Sequence, residues 1–327
     1  MWKGFVMLNT QSPYTLEDVA CYLCDSRDYN AFIQAQDDLS GKAGTFHFVR
    51  CGSCGLAYQQ PRIVFDEIGA FYDEEYIAHR KKSDWGILTK FYNARMGKHD
   101  RDKWGIVRKH VKLNPSSQVL DIGCGAGTFL EKVHRETGAT CTGVDFKDLS
   151  RSPAFAKARF LKGTLFDQDL QAESFDLITM WHFLEHDYRP VETLARIRKL
   201  LKPNGKLILE VPRLDSLSFQ IFKERWPGLQ APQHTLLFDR KTFLTMLSKS
   251  GFGVEQYLPF GAFPAYFYFF AGAIFKRKKG SGVDFGKAIY PYFVGEVLTK
   301  PIFAFERRLN MAMQTAICTP QTDSMLH

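Results

Sequence analysis

Between residues 116 and 260 short apolar runs alternate with amphipathic stretches. Val119, Leu120 and Ile122 read as a buried parallel strand, and from Thr128 apolar positions recur at helical spacing. Further strands are predicted over 139–146, ending in Asp145, over 158–167, and over 174–186. Residues 191–212 give a helix, a Pro-Asn-Gly turn and a fifth strand; 251–260 fit a sixth and 309–320 a seventh. Alternation of this kind predicts an α/β, doubly wound, mostly parallel sheet with helices on both faces.

The first strand runs into "DIGCGAG", where Gly123, Gly125 and Gly127 precede a helix N-terminus. Such a corner brings backbone N–H groups close to a ligand. The spacing is G-x-G-x-G rather than the dinucleotide G-x-G-x-x-G. Asp121, two residues before the first glycine, suits a cationic ammonium better than a pyrophosphate. Asp145, at the end of the second strand, is placed to bind ribose hydroxyls.

"DIGCGAG" resembles the first motif of class I S-adenosylmethionine (SAM)-dependent methyltransferases. The resemblance implies a seven-stranded Rossmann-like sheet with the last strand antiparallel, and SAM as cofactor. It places the adenine under the turn at Thr164 or Leu165, by backbone and apolar contacts, and adds Phe146 and Trp181 to the cofactor site.

"WHFLEH" (181–186) starts at the carboxyl end of the fourth strand, where open α/β sheets bind ligands. On a helix His182, Glu185 and His186 would share one face. Three readings follow. Glu185 and His186 orient the acceptor while a histidine takes its proton; or the three bind a divalent metal; or the stretch opens a packed helix. Quinone-ring O-methyltransferases of the superfamily carry acid, acid and histidine here, and His182 replaces the first acid. His234 is the other candidate base, because a neutral imidazole accepts a proton near pH 7.

Net charge is +8, which permits an anionic partner without choosing one. Four of seven cysteines form two C-x-x-C pairs, Cys21/Cys24 and Cys51/Cys54. Two such turns complete a closed tetrahedral site for structural Zn²⁺. An odd cysteine count and no signal-like N-terminal run suggest a reducing, cytoplasmic setting.

Trp226, Leu229, Pro232 and His234 are similar to a W-x-x-L-x-x-P-x-H branch that also carries a zinc module, a Pro-Arg pair (Pro61, Arg62) and a "YDEEY"-like segment (Tyr72, Tyr76). That branch resembles C- and O-methyltransferases of sugar and cell-surface glycan pathways. It implies a small-molecule or glycan acceptor.

The expected organisation is a zinc ribbon over 1–60, a linker or lid over 61–95, the methyltransferase core over 96–260, a hydrophobic insertion over 261–305, and the last strand with its tail over 306–327. The insertion begins with uncharged 258–275 followed by "KRKK", which suits peripheral membrane contact through 258–279, a cover over the active site or a dimer surface, with a membrane span disfavoured by its prolines and glycines. A second apolar stretch, 289–308, could pair with it as a helical hairpin. The alternatives are an RNA methyltransferase, a quinone-type O-methyltransferase, or a SAM-binding subunit without catalysis. "MWHF" stands where base-amino methyltransferases carry Asn/Asp-Pro-Pro-aromatic, and the basic residues are dispersed, so a nucleic-acid partner is not expected.

Overall fold

A computed structural model describes residues 13–72, 89–277, 282–283, 285–303, 305 and 308–321. Tyr76 and the rest of 73–88 in the lid segment lie outside the described residues. The amino-terminal part comprises β1 (Leu16–Glu17), β2 (Tyr29–Ala35), β3 (Phe46–Cys51), β4 (Ala57–Gln59), β5 (Arg62–Ile63) and α1 (Phe65–Ile68). Next come α2 (Thr89–His110), β6 (Gln118–Ile122), α3 (Thr128–Thr137), β7 (Thr140–Asp145), β8 (Arg159–Lys162), β9 (Phe175–Trp181), α4 (Pro190–Leu200), β10 (Leu201–Pro212) and α5 (Leu217–Phe222). The chain closes with β11 (Leu236–Leu237), α6 (Arg240–Lys249), β12 (Phe252–Leu258), α7 (Ala265–Arg277), α8 (Phe285–Phe303) and β13 (Met313–Pro320).

Seven strands form one sheet in the order β12-β13-β10-β9-β6-β7-β8. β6 through β10 pair in parallel, and β13 runs antiparallel to β10 and β12. Successive side chains of a strand face opposite sides, and the core divides accordingly. Leu120, Ile122, Ile178 and Met180 pack with α4 and α6 residues such as Leu194 and Phe243. Val119, Leu177, Trp181 and Ile208 pack with Val107, Phe129 and Val133 of α2 and α3. Asp121 and Thr179 have the same parity as this second set, so they face α2 and α3.

The amino-terminal part shares a sheet with the core. β2, β3 and β4 form an antiparallel unit, and β11 adds to β4 with Leu236 opposite Tyr58 and Leu237 opposite Ala57. The residues just after His234 therefore belong to the same sheet as the C-x-x-C turns.

The insertion is a helical hairpin of α7 and α8. α7 is mostly covered: Ala265, Tyr266, Tyr268, Ala271, Gly272 and Phe275 are buried. Tyr268 lies against Trp226, with ring centroids 6.0 Å apart. A Cβ on Gly272 would come within 2.6 Å of the Phe222 ring, so α7 and α5 approach closely there. With α7 mostly buried, the exposed apolar surface of the insertion lies on α8, and what 258–279 exposes at its end among the described residues is the basic pair Lys276 and Arg277. Among the described residues no helix is long and apolar enough to cross a membrane.

Candidate active site

The glycine turn leaves β6 and enters α3. Gly125 has φ of 53°, and among the described residues nothing lies within 4 Å of where its Cβ would be. Its N–H donates to Asp145 Oδ2 at 2.9 Å, and the Lys147 N–H donates to Oδ1 at 3.0 Å. Asp145 thus spans the first two strand ends of the site, and burial raises its pKa. Phe146 is exposed beside it. An open glycine cradle, an acid at the second strand end and an exposed ring next to it fit SAM.

Asp121 is 2% exposed and accepts a hydrogen bond from Thr179 Oγ1 at 2.6 Å. Burial lifts its pKa to about 7. The Lys103 charge, from α2, acts in the opposite direction. A buried carboxyl held near neutrality is stabilised as the anion by an incoming cation. Lys103 also lies 5.5 Å from the Trp181 ring centroid and 5.6 Å from that of Phe129. Its position in α2, outside every motif, gave no signal in the sequence.

The adenine-side residues differ in what they offer. The Thr164 backbone N–H and hydroxyl both donate to Asp167 Oδ2, at 2.7 and 2.8 Å. The Leu165 side chain points into the core. Thr164 and Leu165 therefore offer backbone, and the exposed apolar side chain of this turn is Phe166. Trp181 packs edge-on against Phe129, with centroids 5.5 Å apart, and among the described residues no hydrogen-bond partner meets its buried indole N–H.

"WHFLEH" does not form one α-helix face. Trp181 ends β9, His182 has φ of 56°, and Leu184–His186 make a single 3₁₀ turn before α4 begins at Pro190. The left-handed His182 turns its side chain away from His186. His182 Nε2 lies 3.0 Å from Glu210 Oε1, and its Nδ1 lies 3.5 Å from Glu185 Oε1. Burial opposes charge on this ring, but the two carboxylates outweigh it and raise its pKa to about 9. Two carboxylates beside the ring favour its cationic form, which makes His182 a poorer proton acceptor than His186 or His234.

Glu210, at the end of β10, was not singled out from sequence. It is fully buried and accepts hydrogen bonds from Ala262 N at 2.6 Å and Phe263 N at 3.0 Å. It fastens the start of the insertion over the site, where the Phe263 ring lies 5.0 Å from that of His182.

His186 and His234 meet on the other side, ring centroids 4.4 Å apart and nearly perpendicular. His186 Nδ1 lies 3.0 Å from the Gln233 carbonyl and 2.8 Å from the Tyr72 hydroxyl. His234 Nδ1 donates to the Gly228 carbonyl at 2.8 Å. Burial lowers the pKa of both, and of His234 well below the usual histidine range. Both rings are thus neutral, with the tautomer fixed by a backbone carbonyl on Nδ1. His234 is only 3% exposed, whereas His186 is partly open. Tyr72 connects this pair to the cofactor side, because its ring packs edge-on against Phe146 at 5.0 Å.

Glu185 is 1% exposed, and no hydrogen bond among the described residues reaches either carboxylate oxygen. Donor atoms of Glu185, His186 and His234 lie within 4.8 Å of one another. His182 belongs to a different group, with His99 and Glu210. The potential metal-ligand trio therefore contains His234 in place of His182.

The four cysteines of the C-x-x-C pairs also converge, all within 4.8 Å of one another. Cys21 Sγ lies 3.4 Å from Cys54 Sγ, and Cys24 Sγ lies 3.5 Å from Cys51 Sγ. A tetrahedral Zn²⁺ with ~2.3 Å bonds has sulfur–sulfur edges of about 3.8 Å, so the set fits.

A cavity of about 460 Å³ lined by Lys112, Asp176 and Lys202 lies at the opposite, amino ends of the strands. Open α/β sheets bind ligands at the carboxyl ends, so it is not a candidate.

The sheet order and glycine turn define a class I SAM-dependent methyltransferase domain. A family model described as a methyltransferase domain matches residues 97–257. The chain is 32% identical over 142 residues to a ubiquinone biosynthesis O-methyltransferase of Idiomarina loihiensis, covering 40% of this chain and 55% of that protein. It is 27% identical over 175 residues to a 2-phytyl-1,4-naphtoquinone methyltransferase of Trichormus variabilis, covering 50% and 69%. Among solved structures it is similar to a geranyl diphosphate C-methyltransferase of Streptomyces coelicolor, with 11% identity, a TM-score of 0.48, and 73% and 86% of the two chains covered. The chain spans about half, or less, of the length of the first relatives it matches.

Proposed function

We propose that this protein is a SAM-dependent methyltransferase acting on a hydroxyl or carbon of a sugar or glycan, with His186 as proton acceptor. The contact that carries this reading is the chain Phe146–Tyr72–His186, which joins the cofactor side to a neutral, partly open histidine. Bound SAM supplies an electrophilic methyl group on a sulfonium. The protein aligns the acceptor, excludes water and removes its proton. His234 backs His186, Glu185 orients the acceptor, and the His182–Glu210 pair holds the roof at Phe263. The glycan class rests on Trp226, Leu229, Pro232 and His234. Trp226 is buried and its indole donates to Ser218 Oγ at 2.9 Å, and the Gly228 carbonyl within the same motif accepts from His234 Nδ1, so the motif fixes the His234 ring.

Cofactor binding on this reading depends on pH through Asp121. The sulfonium ligand's ammonium favours the carboxylate, so the Asp121 pKa falls on binding. Affinity is full above pH 7 and weakens by up to about tenfold per unit as pH drops below 7. Titration calorimetry should show this trend, and Asp121→Asn should flatten it. A wild-type Kd that stays constant from pH 8 down to pH 6 would remove Asp121 from the ammonium site.

The buried Glu185 carboxylate, which no hydrogen bond reaches among the described residues and whose Oε1 lies 3.5 Å from His182 Nδ1, favours a second reading, quinone-type O-methylation with a divalent metal on Glu185, His186 and His234. Both histidines have Nδ1 on a backbone carbonyl, as metal-binding histidines usually do. The ubiquinone and naphthoquinone relatives are in keeping with it. Metal content of wild type and Glu185→Gln, with the cysteines intact, separates the two: one ion per chain in both, with turnover on a sugar acceptor, supports the first, and a second ion that Glu185→Gln loses together with turnover on a catechol-type acceptor supports the second.

A further inference from the structure

We propose that the outer face of α8 docks on an anionic phospholipid surface. α8 has 19 residues and is about 28 Å long at 1.5 Å per residue. Its inner side packs on α7 through Tyr292, Gly295 and Phe303, which contact Tyr266 and its neighbours. Its outer side carries Tyr290, Val294, Val297, Leu298 and Ile302, between 42% and 74% exposed. The spacing of three to four residues places these on one stripe. Phe305 and Leu309, also exposed, follow just beyond the helix. The outer face of a surface helix is ordinarily polar, and a helix apolar all round is ordinarily covered on both sides. Here, among the described residues, α7 covers one side and the other stays exposed.

Charge selects the occupant. Residues 276–308 hold eight basic and three acidic side chains, more than half of the chain's net charge of +8. Lys276 and Arg277 are exposed at the end of α7, and Lys300 and Arg308 are exposed beside the stripe. An apolar stripe with basic flanks matches the boundary between acyl chains and anionic headgroups. A second copy of the chain would bring like charges together. The single convex helix also offers a ridge rather than a groove for a peptide. The inference is independent of the acceptor assigned above, since it concerns binding and not turnover.

The test is flotation of the full chain with vesicles of phosphatidylcholine plus phosphatidylglycerol, against vesicles of phosphatidylcholine alone. The expected result is co-flotation with the anionic vesicles, weakened by salt. Val297→Asp with Leu298→Asp and Ile302→Asp should abolish it. Lys276→Glu with Arg277→Glu should weaken it at least tenfold, at ~1 kcal/mol per basic residue near the surface. All five side chains are exposed, and unchanged Tm and SAM affinity would confirm intact folds. No flotation with anionic vesicles would overturn the proposal. So would a dimer by light scattering that the triple variant dissolves, which would give the face to a second copy.

Discussion

His186→Ala is expected to lower turnover by ~10²–10⁴-fold, the usual contribution of a positioned general base, with SAM affinity unchanged. The imidazole is partly open, neutral, and held on Nδ1 by the Gln233 carbonyl and the Tyr72 hydroxyl. Tyr72→Phe keeps the ring that packs on Phe146 and removes only the hydroxyl, so a smaller loss is expected. His234→Ala is also expected to reduce turnover and spare SAM binding, through loss of the ring beside His186. Single-turnover kinetics with a functional acceptor measure all three. If His186→Ala keeps wild-type turnover while His234→Ala loses it, the base has been assigned to the wrong ring.

Cys51→Ser should have the largest effect on stability. We propose that the four thiols hold a structural Zn²⁺. Burial opposes the Cys51 thiolate, but the Cys54 and Ser53 backbone N–H groups and the neighbouring thiols outweigh it and bring its pKa to about 6. Structural zinc is worth ~10–16 kcal/mol in small peptides. Losing even ~3 kcal/mol of that would lower Tm by about 6–12 °C in a domain of this size. The damage should also reach the active site, because β4 pairs with β11 only two residues after His234. Metal content by mass spectrometry, Tm and turnover should therefore fall together. A metal-free variant with unchanged Tm would refute a structural ion.

The parts of this protein that were legible in sequence are those with local signatures. The β6 strand, the glycine turn and α3 are contiguous, so pattern alone placed Asp121, Gly125 and the helix start. The cysteine pairs were legible for the same reason. The histidine site was only half legible. His182 and His186 are four residues apart, and a helix would have set them side by side. The positive φ of His182 instead sends it toward Glu210, a partner 28 residues away that no spacing rule connects to it. His234 joined His186 through a backbone carbonyl at Gly228 and a strand shared with the zinc module, contacts that exist only in the folded chain. The insertion was legible as apolar and as a hairpin. Which of its helices faces outward was not, because both are apolar and only packing against α5 decides that α7 is the covered one.

The most direct test of the central claim uses purified protein, methyl-labelled SAM and a cell extract separated into nucleotide-sugar, lipid-linked glycan, RNA, quinone and protein fractions. Label is predicted in a nucleotide-sugar or lipid-linked glycan fraction, and it should vanish with His186→Ala. Label confined to RNA, quinone or protein would contradict the acceptor class. No label in any fraction from a protein that still binds SAM would contradict catalysis itself.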